Sequence, residues 1–366
     1  MGVIQQSSSD WASPVCLVRK KCGGVRWCID LRALNTVTTK DAFPLPRIED
    51  CLDSLQGHYF SCMDLSSGYW QIEIAPEDRH KTAFITRYGL YEHVRLAFGL
   101  TNAPSCFTKA IQLVLKGLLW NDVLAYLDDI MVLGSSVDDA LAVLRQVLTR
   151  FRDHNLKLKP KKCALLQKEV LFLGHMVSAK GISVNPDHVE AIRKWKIPET
   201  KQQMESFLGY VNYHRKHLKN YAQIADCLYK AAAACTKSKG PITLGSVEIA
   251  AFEELRQALI DAPILPFPDP EYTFILDCDA SDIAIGCELS QVIDGEEHVV
   301  AYGSYALTPE QRRYCTTRKE LLALIRFTRQ FRHYLLGRQF TCRTDHNSLT
   351  WLMSFKNVEG QLARWM

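Results

Sequence analysis

The stretch Val123-Leu-Ala-Tyr-Leu-Asp-Asp-Ile-Met-Val-Leu133 sets two short apolar strands end to end, with Asp128 and Asp129 at their junction. Two adjacent acids in a tight turn have a simple explanation, because Asp tolerates turn geometry and prefers solvent. The sharper reading is that the strands present the pair at the floor of a cleft. Asp64, at the end of a strand predicted over Tyr59 to Asp64, is then the third member. Carboxylates crowded in this way repel one another unless cations sit among them. Hard oxygen ligands favour Mg²⁺, and two such ions can activate an attacking oxygen, stabilise a leaving one and neutralise charge in phosphoryl transfer. A triphosphate would need further cations, which the basic residues Lys20 and Arg26 can supply.

Outward from this hairpin, residues 15 to 30 read as two strands around Cys22-Gly23-Gly24. Asn102-Ala-Pro104 opens a helix to about Leu119, with Pro near the first turn, where its missing N–H costs little. Behind Ser136, a predicted N-cap, Val137, Leu141, Leu144, Leu148 and Phe151 recur at helical spacing. To this point the chain is mixed α and β. From about 186 to 262 it is mainly helical, and Thr200-Lys-Gln-Gln203 makes a capping-box pattern ahead of Met204, Phe207, Leu208 and Val211. Alanines 231 to 234, the polar stretch Thr236 to Gly240 and prolines 263, 266, 268 and 270 read as connector. Beyond it come three strands, Tyr272 to Asp279, Ile283 to Ser290 and His298 to Tyr302, then a helix from about Arg318 to Tyr334 and a strand Phe340 to Thr344. That order suits a small sheet with a helix against it.

A chain of 366 residues has room for two or three domains. With 47% hydrophobic and 23% charged residues it has the balance of a soluble folded protein. The net charge of +4 does not by itself indicate nucleic-acid binding, but the basic residues cluster, as in Arg19-Lys20-Lys21 and Lys157-Leu-Lys-Pro-Lys-Lys162. Thirteen cysteines, odd in number and spread over the chain without a C-x-x-C pair, point to reduced thiols in an intracellular compartment. They give no support for a zinc knuckle. Gln6 stands where a myristoylation signal wants Ser or Thr, and no apolar run reaches the roughly 20 residues of a membrane span.

Five boxes in order now carry a resemblance. Tyr126-Leu127-Asp128-Asp129 resembles the YxDD box of reverse transcriptases, and Met63-Asp64-Leu65-Ser66-Ser67-Gly68-Tyr69 their first metal-binding motif. Phe98-Gly99-Leu100-Thr101-Asn102-Ala103-Pro104 resembles the FGLxNAP box of gypsy-type elements, and Cys28 to Asn35 and Phe172-Leu173-Gly174-His175 extend the match. The chain is similar to the reverse transcriptase and RNase H region of a gypsy-class LTR-retrotransposon Pol polyprotein. The resemblance implies an α+β multidomain fold: a right-hand polymerase with fingers, thumb and ferredoxin-like palm, followed by an RNase H-like α/β domain. The implied boundaries are 1–178 for fingers and palm, 179–265 for a helical thumb or connection, and 266–366 for the RNase H-like domain. Asp64, Asp128 and Asp129 become metal carboxylates, with the backbone carbonyl of Leu65 nearby and Mg²⁺, or Mn²⁺, as the ion. Lys20 and Arg26 would contact the triphosphate, and Tyr69 would lie under the sugar and select deoxynucleotides. Phe98, Gly99 and Tyr126 would belong to the substrate side, and Leu173 and Gly174 would support the primer end. Ala97 departs from the family, which usually has Pro before Phe-Gly, and so removes a backbone restraint.

A second set of acids follows. Asp277 and Asp279 share a strand face by period-two alternation, Glu320 sits in the first turn of a helix, and Asp345 follows a strand. Locally, Glu320 could be the far member of a capping box Thr317-Arg-Lys-Glu320, and Asp345 a helix cap. Cys278-Asp279-Ala280-Ser281, Arg318-Lys319-Glu320-Leu321-Leu322 and Thr344-Asp345-His346-Asn347-Ser348-Leu349 resemble the RNase H domain of the same elements. The resemblance implies metal ligation by Asp279, Glu320 and Asp345 and cleavage of RNA in RNA–DNA hybrids, recognised partly through 2′-hydroxyls. Implied partners are an RNA template, a DNA primer, the hybrid and dNTPs, with protease and integrase as other segments of the parent polyprotein. The implied location is a cytoplasmic virus-like particle or the nucleus. By this likeness the chain is trimmed at both ends, within the fingers and before the last RNase H helix. The rival reading is a decayed or co-opted remnant that binds nucleic acid or a partner without catalysis. A cellular polymerase is disfavoured by the RNase H motifs downstream.

Overall fold

A computed structural model describes residues 2–19, 23–269 and 271–344. The chain forms two compact units, residues 1–173 and 174–366.

In the first unit, β1 (Ile4–Gln6), β5 (Phe84–Thr86) and β6 (Gly89–His93) form a three-stranded antiparallel sheet in the order β1-β6-β5. β2 (Val15–Arg19) and β3 (Val25–Ile29) pair antiparallel, Val15 opposite Ile29, as their flanking turn residues predict. Short helices α1 (Arg32–Val37), α2 (Ile48–Asp53) and α3 (Pro76–Arg79) fill the connections. The sheet that matters for the site has the order β7-β8-β4-β9, built from β4 (Tyr59–Asp64), β7 (Val123–Tyr126), β8 (Asp129–Gly134) and β9 (Ala164–Gln167). Its apolar face meets α4 (Ala103–Val114) and α5 (Val137–Asp153) in one core that includes Met63, Phe107, Ile111, Ile130, Val132, Val147 and Phe151. β10 (Glu169–Phe172) ends the unit.

Two sequence expectations are corrected here. α4 stops at Val114 rather than near Leu119, and the chain turns through Gly117 at φ +85°, a left-handed conformation natural to glycine. α5 is capped as expected, the Ser136 hydroxyl accepting from the Asp139 amide at 3.2 Å, but it is rotated. Ala140, Val143, Leu144, Val147 and Phe151 are buried, whereas Val137, Leu141 and Leu148 are exposed. The close approach of the helix to β8 explains this, because a Cβ on Gly134 would lie 2.5 Å from the Ala140 Cβ. Only small side chains fit at that contact.

In the second unit, β11 (His175–Ser178) and β12 (Gly181–Val184) form a hairpin. Helices α6 (Pro186–Arg193), α7 (Lys201–Tyr213), α8 (Tyr221–Ala234) and α9 (Ser246–Ile260) then enclose a core of Met204, Phe207, Leu208, Val211, Leu228 and Phe252. The capping box forms as expected: the Thr200 hydroxyl accepts from the Gln203 amide, and the Gln203 side chain accepts from the Thr200 amide. Alanines 231 to 234 are not connector but the last turn of α8, with Ala232 buried, as the high helix propensity of alanine favours. A second core lies between α10 (Thr316–Gln330) and a four-stranded sheet in the order β15-β14-β13-β16. This sheet comprises β13 (Phe274–Ala280), β14 (Ala284–Ile293), β15 (Glu296–Ala306) and β16 (Phe340–Arg343), with β13 and β16 parallel. α11 (Arg332–Leu335) follows α10. α10 begins two residues earlier than a Thr317 capping box needs. Its N-cap is Cys315, without a side-chain cap, so Thr317 and Glu320 lie within the helix. Among the described residues no helix is long and apolar enough to cross a membrane.

Candidate active site

β4 ends at Asp64 and β8 begins at Asp129, and the antiparallel register sets these two residues directly opposite one another. Tyr126, the last residue of β7, is also opposite Asp129, so residues 127 and 128 form the turn. Leu127 takes it at φ +52°, a left-handed conformation uncommon for a branched residue. The sheet thus delivers Asp64, Asp128 and Asp129 to one end.

Their electrostatics are those of carboxylates held too close together. Burial, and then the negative charges of Asp64 and Asp129, push the Asp128 carboxyl above the usual carboxylate range. Burial and Asp64 do the same to Asp129. The Oδ1 atom of Asp128 is buried with no hydrogen-bond partner among the described residues. Among the described residues one cation answers this charge: Lys162 Nζ donates to Asp64 Oδ2 at 2.7 Å, and that contact, with the charges of Asp129 and Asp128, raises the lysine. The segment bearing Lys162 is pinned to the site through its backbone. The Lys159 amide donates to the Asp64 carbonyl at 2.9 Å, and the Ser66 amide to the Lys157 carbonyl at 2.8 Å.

Behind the acids the packing leaves no slack. Gly68 is buried, and a Cβ there would lie 2.4 Å from Asp128 Oδ1 and 2.8 Å from Phe107 Cζ. Tyr69 packs its ring against Phe98 at 5.0 Å and Phe107 at 5.4 Å. Burial and the Asp128 charge raise its hydroxyl. Phe98 is 49% exposed and accessible to a ligand, and Gly99 turns the chain at φ +98°. Lys20 and the side chain of Arg26 lie outside the described residues. Leu173 and Gly174 both take positive φ, at +45° and +74°, and Gly174 faces the Tyr213 hydroxyl.

The second set of acids is placed differently. Asp279 is exposed near the end of β13, and Asp277, on the same strand face, is held by Arg343 at 2.6 and 2.5 Å. Glu320 is 3% exposed within α10. The buried thiol of Cys278 is raised first by its hydrogen bond with Cys287 and then by burial, with the Glu320 charge adding to both. Asp345 lies outside the described residues.

Among the described residues no group of three or more His, Cys, Asp or Glu side chains forms a ready metal cage. The first set nevertheless suits a hard divalent cation in its donor chemistry. It offers carboxylate oxygens under mutual repulsion, an orphaned buried oxygen on Asp128, and an ammonium group already seated as counter-charge. Sequence reasoning missed two residues of this arrangement, Lys162 and Gly68. Lys162 was visible only as part of a basic run, and Gly68 only as part of a motif.

Comparison with known proteins bears on the whole chain. The family model described as "Reverse transcriptase (RNA-dependent DNA polymerase)" matches residues 18–177, and that described as "RNase H-like domain found in reverse transcriptase" matches residues 269–366. The retrovirus-related Pol polyprotein from transposon 297 of Drosophila melanogaster is 40% identical over 371 residues, covering 100% of this chain and 34% of that protein. The corresponding polyprotein from transposon opus of the same organism is 36% identical, covering 100% and 38%. The Tf2-3 transposon polyprotein of Schizosaccharomyces pombe is 31% identical, covering 100% and 28%. The chain therefore spans about a third of the length of the curated relatives it matches. Among solved structures, the foamy viral protease-reverse transcriptase dRH in complex with double-stranded DNA superposes with a TM-score of 0.87 at 24% identity, covering 100% of this chain and 64% of that one. The same viral protein in complex with an RNA/DNA hybrid gives 0.83 at 24% identity, covering 100% and 49%. The fold is the reverse transcriptase fold.

Proposed function

We propose that this chain, which carries a reverse transcriptase domain and an RNase H-like domain, is an RNA-directed DNA polymerase that extends a DNA primer on an RNA template with dNTPs. Its attached RNase H domain cleaves the RNA of RNA–DNA hybrids. The observation that carries the reading is the register that sets Asp64 opposite Asp129 beside the half-buried, raised Asp128. Two Mg²⁺ ions, with Mn²⁺ as substitute, would be held by Asp64, Asp128, Asp129 and the Leu65 carbonyl, and would supply nucleophile activation and charge neutralisation.

The chain's own residues do the rest. The β4–β8 pairing and the packed Gly68 hold the carboxylates in place, and Lys162 balances their charge when no other cation is bound. Tyr69, wedged between Phe98 and Phe107, presents a fixed ring edge against the sugar, where a 2′-hydroxyl would collide. Phe98, Gly99 and Tyr126 line the substrate side, Lys20 and Arg26 bind the triphosphate, and Leu173 and Gly174 support the primer end. Asp279, Glu320 and Asp345 serve the nuclease.

The proposed division is 1–178 fingers and palm, 179–265 thumb or connection, and 266–366 RNase H. It is supported by the spans of the two family models and by the two separate cores in residues 174–344. Origin in a gypsy-class Pol polyprotein, with protease and integrase segments elsewhere, is supported by the FGLxNAP box and by the transposon relatives. It implies work inside the cell, in a cytoplasmic virus-like particle or the nucleus. The test is extension of a DNA primer on an RNA template with Mg²⁺. Asp128→Asn is expected to abolish it while leaving hybrid binding, and a mutant as fast as the parent rejects the assignment.

A further inference from the structure

Four histidines from four segments meet in the second unit: His175 at the start of β11, His188 in α6, His214 at the end of α7, and His217 in the turn that follows. His188 Nδ1 and His214 Nε2 are 3.3 Å apart, a hydrogen bond between one protonated and one bare ring nitrogen. His175 lies 5.1 Å from His214 and 5.9 Å from His217, centroid to centroid, and stacks on Tyr213 at 5.2 Å. His175, His214 and His217 are only 5%, 1% and 3% exposed. The Nδ1 atoms of His175 and His214 are buried without a partner among the described residues, and His217 Nδ1 meets the Pro263 carbonyl at 3.1 Å.

The groups facing these rings are Tyr210 and Tyr213 of α7, the other histidines, and Lys216. Among the described residues no carboxylate is among the charges that act on them, and those of Lys216 and the neighbouring imidazoles are all positive. Each added proton would be a buried cation with no counter-charge among the described residues. Burial accordingly pulls His175 and His214 down to about 3, and His217 to about 4. The rings do not converge as three ligands on one point, so a metal site is not the reading.

His175 directly follows Gly174, whose Cα packs so closely on α7 that a Cβ would come within 3.1 Å of the Tyr213 hydroxyl. We propose that the histidine cluster is an acid-sensitive latch, which fastens the Gly174–His175 turn to α7 while the three buried imidazoles of His175, His214 and His217 are neutral and frees that turn when they are protonated. The link to primer support rests on the polymerase reading above.

The sign follows from linkage. The open turn takes up protons below about pH 6.5, where a solvated histidine titrates, while the closed turn stays neutral to about 4. One unit below 6.5, opening becomes about tenfold more favourable for each of the three buried rings, or about a thousandfold together.

Hydrogen exchange of the peptides covering 172–178 and 208–218, corrected for intrinsic rate, reads this directly. Protection is expected to fall with a slope approaching three logarithmic units per pH unit below 6.5, and to approach two in His217→Phe. If that variant does not fold, the parent slope decides alone. A parent slope of zero to one overturns the latch. Saturating DNA-primed RNA template, with binding followed by fluorescence anisotropy, is expected to restore protection at pH 5.5. Protection unchanged by bound hybrid overturns the link to the primer. Failure to bind hybrid at any pH counts instead against the polymerase reading.

Discussion

Gly68→Ala tests the packing of the acids with a single methyl group. The added Cβ would sit 2.4 Å from Asp128 Oδ1, and 2.8 and 2.9 Å from Phe107 Cζ and Cε2. An ordinary contact is about 3.5 Å, so the carboxylate or the backbone must move by about 1 Å. Phe107 cannot give way, being fully buried in the core under the sheet. Asp128, at the turn, yields instead. Displacement of a reacting group by about 1 Å costs about 100-fold in rate, and overpacking of this kind costs about 1–3 kcal/mol of stability. Gly68 does not occupy the left-handed region, so backbone strain adds nothing and the effect is steric. Gly209→Ala is the matched control. It lies in mid-helix with open space around its Cβ, and is expected to gain about 0.4–1 kcal/mol without changing extension. The assay is single-nucleotide extension of a DNA primer on an RNA template, with thermal unfolding of the same preparations. A Gly68→Ala enzyme that extends at the parent rate, with Gly209→Ala also at the parent rate, refutes the claim that the carboxylate is held by this contact.

Lys162 opposes the rise of Asp128 and Asp129, so Lys162→Met raises both further and moves the acid limb of the pH–rate profile to higher pH, and an unmoved limb refutes the coupling. Because both folded values lie above those of free aspartate, the metal-free protein should gain stability as pH falls through them and lose it as pH rises, more steeply in the variant. Thr200→Ala removes the hydroxyl that accepts from the Gln203 amide and should cost about 1 kcal/mol in denaturant unfolding, whereas an unchanged midpoint shows the cap to be idle.

What was legible in the sequence was whatever a local period or cap determines. The strand Tyr59 to Asp64, the buried stripe Met204, Phe207, Leu208 and Val211, and the caps Ser136 and Thr200 are found where the pattern put them. What was not legible depends on neighbours distant in sequence. The buried face of α5 is decided by the contact between Gly134 and Ala140, which no periodicity of the helix alone encodes. The alanines of α8 carry no polarity pattern, so their helix could not be told from connector until Ala232 was found packed. Lys162 and Asp64 are 98 residues apart, and nothing in a basic run says which of its members will meet a carboxylate.

The two readings of Asp128-Asp129, solvated turn or cleft floor, make opposite electrostatic demands. In a solvated turn, water would screen both carboxyls and satisfy their oxygens, and neither would leave its ordinary range. Here burial is the largest cause of the rise in each, Asp128 keeps a buried oxygen without a partner, and Asp64 stands on the adjacent strand. The sheet therefore concentrates negative charge against its own electrostatic preference, and a hydrogen-bonded β4–β8 ladder is what holds the charges in place. One exposed lysine amine, on a long flexible stem, is a weak and displaceable answer to three carboxylates. A doubly charged ion with hard-ligand preference neutralises the same oxygens more completely, and relief of the repulsion among these carboxylates becomes part of its affinity.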